Sequence, residues 1–255
     1  MSDDALASFG RFLANQTAPE RTILVVNWDA PEQIERLLER TVDPLPVDLE
    51  RRVDPDRGEN LVYLLEDGEV VATSTLEALQ QAVLLVNTDL YATGLSGIEQ
   101  YEAPAVLTEL DEMRFPLRGY PASTREKLLL VVMSRFIEKR ALEVGTGRLD
   151  VSFQELSRVH DEYGTGRVYA RLADTDVDVH VYGVPDADPD LEGITVHRGE
   201  TPAYRQSWVV VFRAPAHEEP AALLAVETDA NVWDAMWTYD RERVRRLGAT
   251  IESEF

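Results

Sequence analysis

The chain has 255 residues, 44% of them hydrophobic, which is enough to bury a core in one large domain or two small ones. It carries 47 acidic against 25 basic residues, a net charge of -22, and its scattered arginines argue against a nucleic-acid partner. The lack of cysteine excludes disulfides, thiolate metal sites and thiol catalysis. An acidic N-terminus without a signal-peptide pattern, and apolar runs too short to cross a bilayer, predict a cytoplasmic protein outside the membrane.

Nearly all of the positive charge is arginine, because Lys127 and Lys139 are the two lysines of the chain. An acidic, lysine-poor surface is typical of proteins that work at very high salt, where a Debye length of about 3 Å screens self-repulsion. We therefore expect a salt-adapted protein, and a melting temperature that falls with added potassium chloride would contradict this. An ordinary acidic protein is the alternative.

The first elements predict a small α/β region. An apolar stripe indicates a helix over residues 3–15, and a continuous apolar run indicates a buried strand over 22–27. Pro31 stands where a second helix would begin. Residues 42–59 contain several prolines and read as a looser connection.

A hairpin is predicted next, because two apolar runs flank Asp67-Gly68, a pair that suits a tight turn with positive φ. Ser74 or Thr75 can cap the helix that follows and runs to about Val86. A short helix over 103–110 and a strand over 114–117 complete this part of the chain.

The longest predicted helix spans residues 124–144 and ends at Gly145, a natural helix terminator. Ser152-Phe153-Gln154-Glu155 has the pattern of a capping box, which predicts the start of a further helix. We place the internal boundary near Tyr120, so that residues 1–120 form one region and residues 121–255 form another.

From Asp176 the apolar period changes from helical to strand-like, and short connections between strands favour antiparallel pairing. Asp240 can cap a final helix. The predicted class is therefore α+β: a mixed, largely antiparallel sheet of about five strands flanked by helices, preceded by the smaller α/β region. The five strand candidates are residues 177–182, 194–197, 208–212, 222–226 and 235–238.

Catalytic and metal-binding patterns are weak. The four histidines lie on different predicted elements, without the tight spacing of a zinc site. The aspartates from Asp186 onward are out of register with a calcium loop, since its sixth position is Leu191 and its twelfth is His197. The chain also lacks a Gly-x-Gly-x-x-Gly loop and a Gly-x-Ser-x-Gly elbow. We predict no metal and no catalytic residues, and the sequence names no cofactor.

Aromatic side chains cluster in the predicted sheet, and such rings can line a small-molecule pocket or fill a core. His180 alternates with Val179 and Val181, so it should share a face with a neighbouring aromatic ring. The candidate ligand-binding residues are His180, Tyr182, Trp208, Trp237 and Tyr239.

The order of these segments resembles the DICT sensory domain over roughly residues 124–251. The segments are Ser134-Arg135-Phe136-Ile137-Glu138, Ser152-Phe153-Gln154, the run from Val179 to Asp186, the Trp208 and Ala222 strands and the ending Trp237 to Asp240. The first half also looks like sequences that accompany this domain in salt-adapted archaeal proteins. The resemblance implies an α/β signal-input module of two-component systems and diguanylate cyclases, for which a role in light response has been proposed.

Three functions follow as hypotheses. The first is a non-catalytic sensory module that binds a small molecule or a signalling protein such as a histidine kinase or transcription regulator. The second is an interaction scaffold without a ligand, which predicts an exposed apolar groove or a homodimer face on the helix at 124–144. The third is an unrecognised enzyme, which predicts a cleft with converging carboxylates or a histidine of shifted pKa.

Overall fold

The structure, a computed structural model, describes residues 2–14, 19–29, 32, 36, 39, 42–58, 60–89, 98, 101–118, 128–161, 165–189 and 191–255. Within these ranges, strands form a four-stranded and a seven-stranded sheet, with helices packed around them. This confirms the predicted α+β class.

The four-stranded sheet has the order β2-β1-β3-β4, with β1 parallel to β2 and antiparallel to β3. Asp67 and Gly68, with φ of 50° and 86°, form the predicted hairpin turn, and Thr75 Oγ1 caps the next helix by accepting from Ala78 N. The helix predicted at Pro31 lies largely outside the described residues. The elements are α1 (Ser2–Ala14), β1 (Arg21–Val26), β2 (Asp48–Arg52), β3 (Leu61–Glu66), β4 (Glu69–Thr75) and α2 (Leu76–Asp89).

The seven-stranded sheet has the order β5-β11-β10-β9-β6-β7-β8, and it contains all five predicted strands. Its pairs are antiparallel except for β6 with β7 and β7 with β8, which confirms a largely antiparallel sheet. The strands are β5 (Phe115–Arg118), β6 (Thr146–Glu155), β7 (Asp176–Val184), β8 (Thr195–Arg198), β9 (Ser207–Arg213), β10 (Ala221–Asp229) and β11 (Val232–Thr238).

The described helices of this half lie on both sides of that sheet. The longest of them ends at Val144, directly before Gly145 with φ of 68°, as predicted. The helices are α3 (Ala105–Thr108), α4 (Leu128–Val144), α5 (Arg158–Asp161), α6 (Thr165–Ala173), α7 (Pro202–Arg205) and α8 (Arg241–Glu254). None of the helices in the described ranges is long and apolar enough to span a bilayer.

Two predictions of local structure were wrong. Ser152 to Glu155 do not begin a helix, because β6 runs through them and pairs with β9 on one side and β7 on the other. Residues 42–59 are not only a connection, because β2 forms there. β2 is almost wholly solvent-exposed, so it lacks the apolar alternation that marks a half-buried strand.

The seven-stranded sheet has two buried faces. The first, which we call the α4 face, packs Val151, Val210 and Phe212 against α4 and continues into the core of the smaller sheet. The second, the α8 face, packs Val211 and Leu224 against α1 and α8.

α4 lies inside this fold rather than on its surface. Its apolar side chains from residue 129 to 144 are buried or half-buried, so the exposed face that the scaffold hypothesis expects on this helix is not present over those residues. β5 precedes the boundary predicted near Tyr120, yet it pairs with β11 in the larger sheet. The division of the chain at that boundary stays a prediction.

Candidate functional site

The five predicted site residues do not meet in one place. His180 and Tyr182 lie on the α8 face, whereas Trp208, Trp237 and Tyr239 pack with the α4 face. Successive residues of a strand point to opposite faces, and the register of the sheet puts these two groups on different sides. The five side chains therefore do not enclose a single cavity.

Trp237 and Tyr239 belong to a filled interior. Trp237 is fully buried, and its Nε1 donates to the carbonyl oxygen of Thr108 over 3.1 Å. The hydroxyl of Tyr239 donates to the same oxygen over 2.8 Å, and its ring packs edge-on against Phe136. Burial raises the pKa of Tyr239, which keeps the hydroxyl a donor. Their polar atoms are thus satisfied within the protein.

The α8 face holds a buried carboxylate that accepts hydrogen bonds from three side chains. Asp150 has no exposed surface, and Arg148 Nη2 and Arg213 Nη2 each donate to it over 2.9 Å. The hydroxyl of Tyr182 donates over 3.0 Å, and both its burial and the carboxylate raise the pKa of that phenol. Glu252 on α8 accepts from Arg213 over 2.7 Å, so the helix covers the cluster. Paired charges of this kind stabilise a fold only while every partner is present.

Beside this cluster, two histidines form a stacked ladder. His197 stacks on the Tyr182 ring at 4.4 Å, and His180 Nδ1 lies 2.8 Å from His197 Nε2. His180 Nε2 in turn lies 3.0 Å from a carboxylate oxygen of Asp178. Burial and the neighbouring His180 lower the pKa of His197. The predicted alternation of His180 and Tyr182 on one face is therefore present, and the ladder ends on an exposed aspartate.

The described residues contain no group of three or more histidine, aspartate or glutamate side chains that could hold a metal ion. The ladder has two imidazoles and one carboxylate, but the carboxylate lies on the far nitrogen of His180 rather than beside the space between the rings. A structural metal site needs at least three or four convergent ligands.

A narrow cavity of about 30 Å³ lies on the α4 face, between α4, β6, β9 and the start of α6. A space of this size holds about one or two water molecules. Trp208 lines it and is the one predicted site residue that does so. The lining residues are Val131, Ser134, Arg135, Glu138, Val151, Ser152, Phe153, Gln154, Arg158, Thr165, Trp208 and Val210.

A buried ion pair forms one wall of this cavity. Arg135 Nη1 donates to Glu138 Oε2 over 2.6 Å, and the two residues are 7% and 2% exposed. Arg135 Nη2 also donates to Thr165 Oγ1 over 2.7 Å, and the hydroxyl of Tyr169 donates to Glu138 Oε1 over 2.9 Å. Both charged side chains lie on α4, three residues apart, so the helix itself brings them together.

The opposite wall comes from the sheet. Trp208 Nε1 donates to Ser134 Oγ over 3.1 Å, which fixes the indole against α4. Gln154 lies where the register of β6 and β7 shifts, and its φ of 63° is in the left-handed region. A non-glycine residue held there costs about 1 kcal/mol or more, and such residues cluster at functional sites. Arg158 Nη1 donates to the side-chain oxygen of Gln154 and so reaches the same wall.

Sequence reasoning missed Arg135, Glu138 and Thr165 as site residues. The available signal was the run from Leu128 to Ile137, in which Ser134 and Arg135 interrupt an otherwise apolar helix. A cation that a helix buries needs hydrogen-bond or ionic partners. Nothing in the sequence indicates that Thr165, thirty residues away, is one of the partners of Arg135.

The residues around the cavity lie in a part of the chain that matches a known protein family. The model of the DICT family, described as "Sensory domain in DIguanylate Cyclases and Two-component system", matches residues 104–228, just under half of the chain. The match confirms the resemblance to this family over those residues, and every residue lining the cavity lies inside them. A salt-adapted, archaeal type stays a prediction.

The comparison with curated proteins gave no match. Among solved structures, the polyphosphate kinase from Porphyromonas gingivalis is similar at 10% identity and a TM-score of 0.33. The similarity covers 100% of this chain, which spans 48% of the length of that kinase. Likeness at this level carries no argument about fold or function.

Proposed function

We propose that this chain is a non-catalytic sensory input module that recognises a small polar ligand at the cavity on the α4 face. The observation that supports the proposal is the buried pair of Arg135 and Glu138 beside unfilled space, within the segment that matches a sensory family. A fold that needed these residues only for stability could use apolar side chains of similar volume at equal or lower cost.

The chemistry of the cavity wall limits the ligand. Arg135 offers guanidinium donors and Glu138 offers carboxylate acceptors, so the ligand should carry both an acceptor and a donor, as amides, amino acids and nucleobases do. The indole of Trp208 supplies an apolar surface next to them. The cavity now has room for water alone, so a ligand must displace that water and move α4 or the Trp208 indole away from the opposite wall.

Movement of α4 would carry the signal. α4 packs against β6 and β9 on one side and against α2 and α6 on others, so a shift of this helix reaches both sheets. A ligand changes the population of two states only if it binds them with different affinities. In one state the Arg135–Glu138 pair is broken and both side chains bond to the ligand instead. The ligand therefore binds that state more tightly than the state in which the pair is intact.

The family description places such domains in diguanylate cyclases and two-component systems. We therefore propose that the output is a signalling protein, either a histidine kinase or a transcription regulator, in the cytoplasm. We also propose that the protein takes part in a light response and is adapted to high salt. Salt adaptation is tested by thermal melts over a potassium chloride series, in which the melting temperature should rise.

The binding arm is tested with tryptophan fluorescence against a panel of metabolites and nucleotides. The chain has four tryptophans, so each titration is repeated with Trp208→Phe, and the difference isolates the indole at the cavity. A ligand of the proposed site should change emission in the wild type and lose affinity by about tenfold in Thr165→Val, which removes one Arg135 partner.

Tyr182→Phe is the matched control, because it removes one hydroxyl from the α8 face and leaves the cavity unchanged. A ligand whose affinity falls equally in both variants does not bind at the cavity. If no compound of the panel changes emission or the amide resonances of α4, the sensory proposal loses its physical basis.

A further inference from the structure

A groove between α1 and α8 gathers positive charge on a strongly acidic protein. Ser8, Arg11 and Phe12 lie on one face of α1, and Arg243, Arg246 and Thr250 lie on one face of α8. Together they enclose about 430 Å³ that is open to solvent. This is within the range of small-molecule sites, and it is on the opposite side of the sheet from the α4 cavity.

The three arginines differ in how far they are neutralised. Arg243 Nη1 donates to Glu112 over 2.6 Å, and its Nη2 donates to the carbonyl oxygen of Phe12. Arg246 has one carboxylate, Glu242, at 3.8 Å, and both side chains of this pair are more than 60% exposed. An ion pair this exposed has a small interaction free energy.

Arg11 has no carboxylate within 4 Å among the described residues. Its guanidinium donates instead to Ser8 Oγ over 2.8 Å and to the carbonyl oxygen of Ala7 over 3.3 Å. Both partners are neutral, so the positive charge of Arg11 is not cancelled where it lies. A groove with two incompletely neutralised guanidinium groups is a local attraction for anions on a chain whose net charge is -22.

The donors of the groove fit a phosphate group. Guanidinium groups donate parallel pairs of hydrogen bonds to phosphate oxygens, and hydroxyls such as those of Ser8 and Thr250 add single bonds. The ring of Phe12 forms an apolar wall, with the Arg243 guanidinium 4.7 Å from its centroid. A ligand with an anionic end and an aromatic body would use both features.

We infer that the groove between α1 and α8 is a binding site for a phosphate monoester that carries an aromatic group. The dianionic phosphate lies between Arg11 and Arg246, and the aromatic group lies against Phe12. Because the two helices contribute to the same site, the ligand also links α1 to α8 across the α8 face. This site goes beyond the proposed sensory cavity and does not depend on it.

The test is calorimetric titration of the full chain with phenyl phosphate, inorganic phosphate and phenol. It is done at the lowest potassium chloride concentration at which the chain is still folded at the temperature of the titration. Phenyl phosphate should bind most tightly, inorganic phosphate more weakly and phenol least. Arg11→Ala and Arg246→Ala should each weaken phenyl phosphate by about tenfold, the value of one charge-assisted hydrogen bond. Both positions are exposed helix sites at which alanine is well tolerated.

Arg245→Ala is the matched control, since it removes the same charge from the same helix at an exposed position outside the groove. It should change affinity less than twofold. Phe12→Leu should weaken phenyl phosphate but leave inorganic phosphate unchanged. If Arg245→Ala weakens binding as much as Arg246→Ala, or if phenyl phosphate binds no better than phenol at about 10 mM, where even a ~1 mM site is mostly filled, the inference is wrong. Thr165→Val should leave these titrations unaltered, which separates this site from the α4 cavity.

Discussion

The two faces of the seven-stranded sheet both bury charged side chains, but they surround them differently. On the α8 face, Asp150 accepts from two arginines and a tyrosine, and α8 covers the cluster through Glu252. On the α4 face, the pair of Arg135 and Glu138 borders a cavity of about 30 Å³.

This difference separates a structural role from a candidate binding role. A buried carboxylate whose acceptor positions are filled by protein donors has little left to offer a ligand. A buried ion pair beside unfilled space can exchange its partners, because the neighbouring volume lets another donor or acceptor approach. The contrast therefore predicts that mutations in the Asp150 cluster change stability alone, whereas mutations of Arg135 and Glu138 change stability and binding of the cavity ligand together.

Asp150→Ala should give the largest loss of stability. The substitution leaves Arg148, Arg213 and the Tyr182 hydroxyl without their common acceptor. Removing one partner of a buried charge cluster costs about 3–5 kcal/mol, and we expect the lower end because both arginines are about one quarter exposed. Urea denaturation measures the free energy of unfolding.

Asp178→Ala is the control for that experiment, because Asp178 is 60% exposed and its bond to His180 lies at the edge of the same cluster. It should cost less than about 1 kcal/mol. A loss of less than about 1 kcal/mol for Asp150→Ala as well would contradict a central role for the buried carboxylate.

The ion pair at the cavity is tested by Arg135→Met and Glu138→Leu, singly and together. Each single change should cost about 2–3 kcal/mol, because it leaves the other charge buried without its partner. The double change removes both charges and should recover most of that loss. Stability recovered without recovery of ligand binding would show that the pair is kept for recognition.

The exposed pair of Arg36 and Glu32 provides the matched cycle, since its side chains are 61% and 69% exposed. Its coupling energy should be about 0.5 kcal/mol or less. If the pair at the cavity shows a coupling no larger than this, its burial has no energetic consequence.

Gly248→Ala tests how closely α8 packs on the Arg213 side chain. A Cβ at residue 248 would lie 2.7 Å from Arg213 Cδ, so either the helix or the arginine must move. We expect a cost of about 1–3 kcal/mol, typical of an overpacked site. Thermal and urea unfolding give this value.

Gly10→Ala is the matched control on α1, because a Cβ there meets nothing within 4 Å. Alanine is the better helix former, so this change should stabilise the protein by about 0.5–1 kcal/mol. Equal stabilisation by both substitutions would mean that Arg213 is not held against α8.

The sequence predicted the parts of this fold that depend on neighbouring residues. Asp67-Gly68 forms a turn because its two residues tolerate positive φ, and Gly145 ends α4 for the same reason. The alternation of His180 and Tyr182 placed both on one face correctly. Each of these features follows from local backbone geometry, which the sequence displays directly.

The parts that the sequence did not predict depend on distant contacts. The capping-box pattern at Ser152 is a local preference, and pairing with β7 and β9 overrides it. Thr165 reaches Arg135 only after β6 and α6 have packed on α4. Trp208 and Tyr182 were grouped because both are aromatic, but the register of the sheet assigns them to opposite faces. A pocket is defined by such long-range placement.

The smallest effect should come from the pH dependence of the histidine ladder. The pKa of His197 is lowered in the folded protein by burial and by His180, so the unfolded chain binds more protons just below the ordinary value of about 6.5. The stability that the neutral ring contributes is therefore present above that value and is lost as pH falls through it. Because His197 is partly exposed, we expect a few tenths of a kcal/mol.

Urea unfolding of the wild type and His197→Phe between pH 5 and 8 measures this contribution. Phenylalanine keeps a ring against Tyr182 but cannot titrate. Asp111 acts in the opposite direction, because burial raises its pKa to about 6 and the cost of ionising it disappears as pH falls. That effect is common to both proteins and cancels when the free energy of unfolding of His197→Phe is subtracted from that of the wild type. This difference should fall from pH 8 to pH 5. A difference that stays constant over this range would mean that protonation of the ladder does not change the free energy of unfolding.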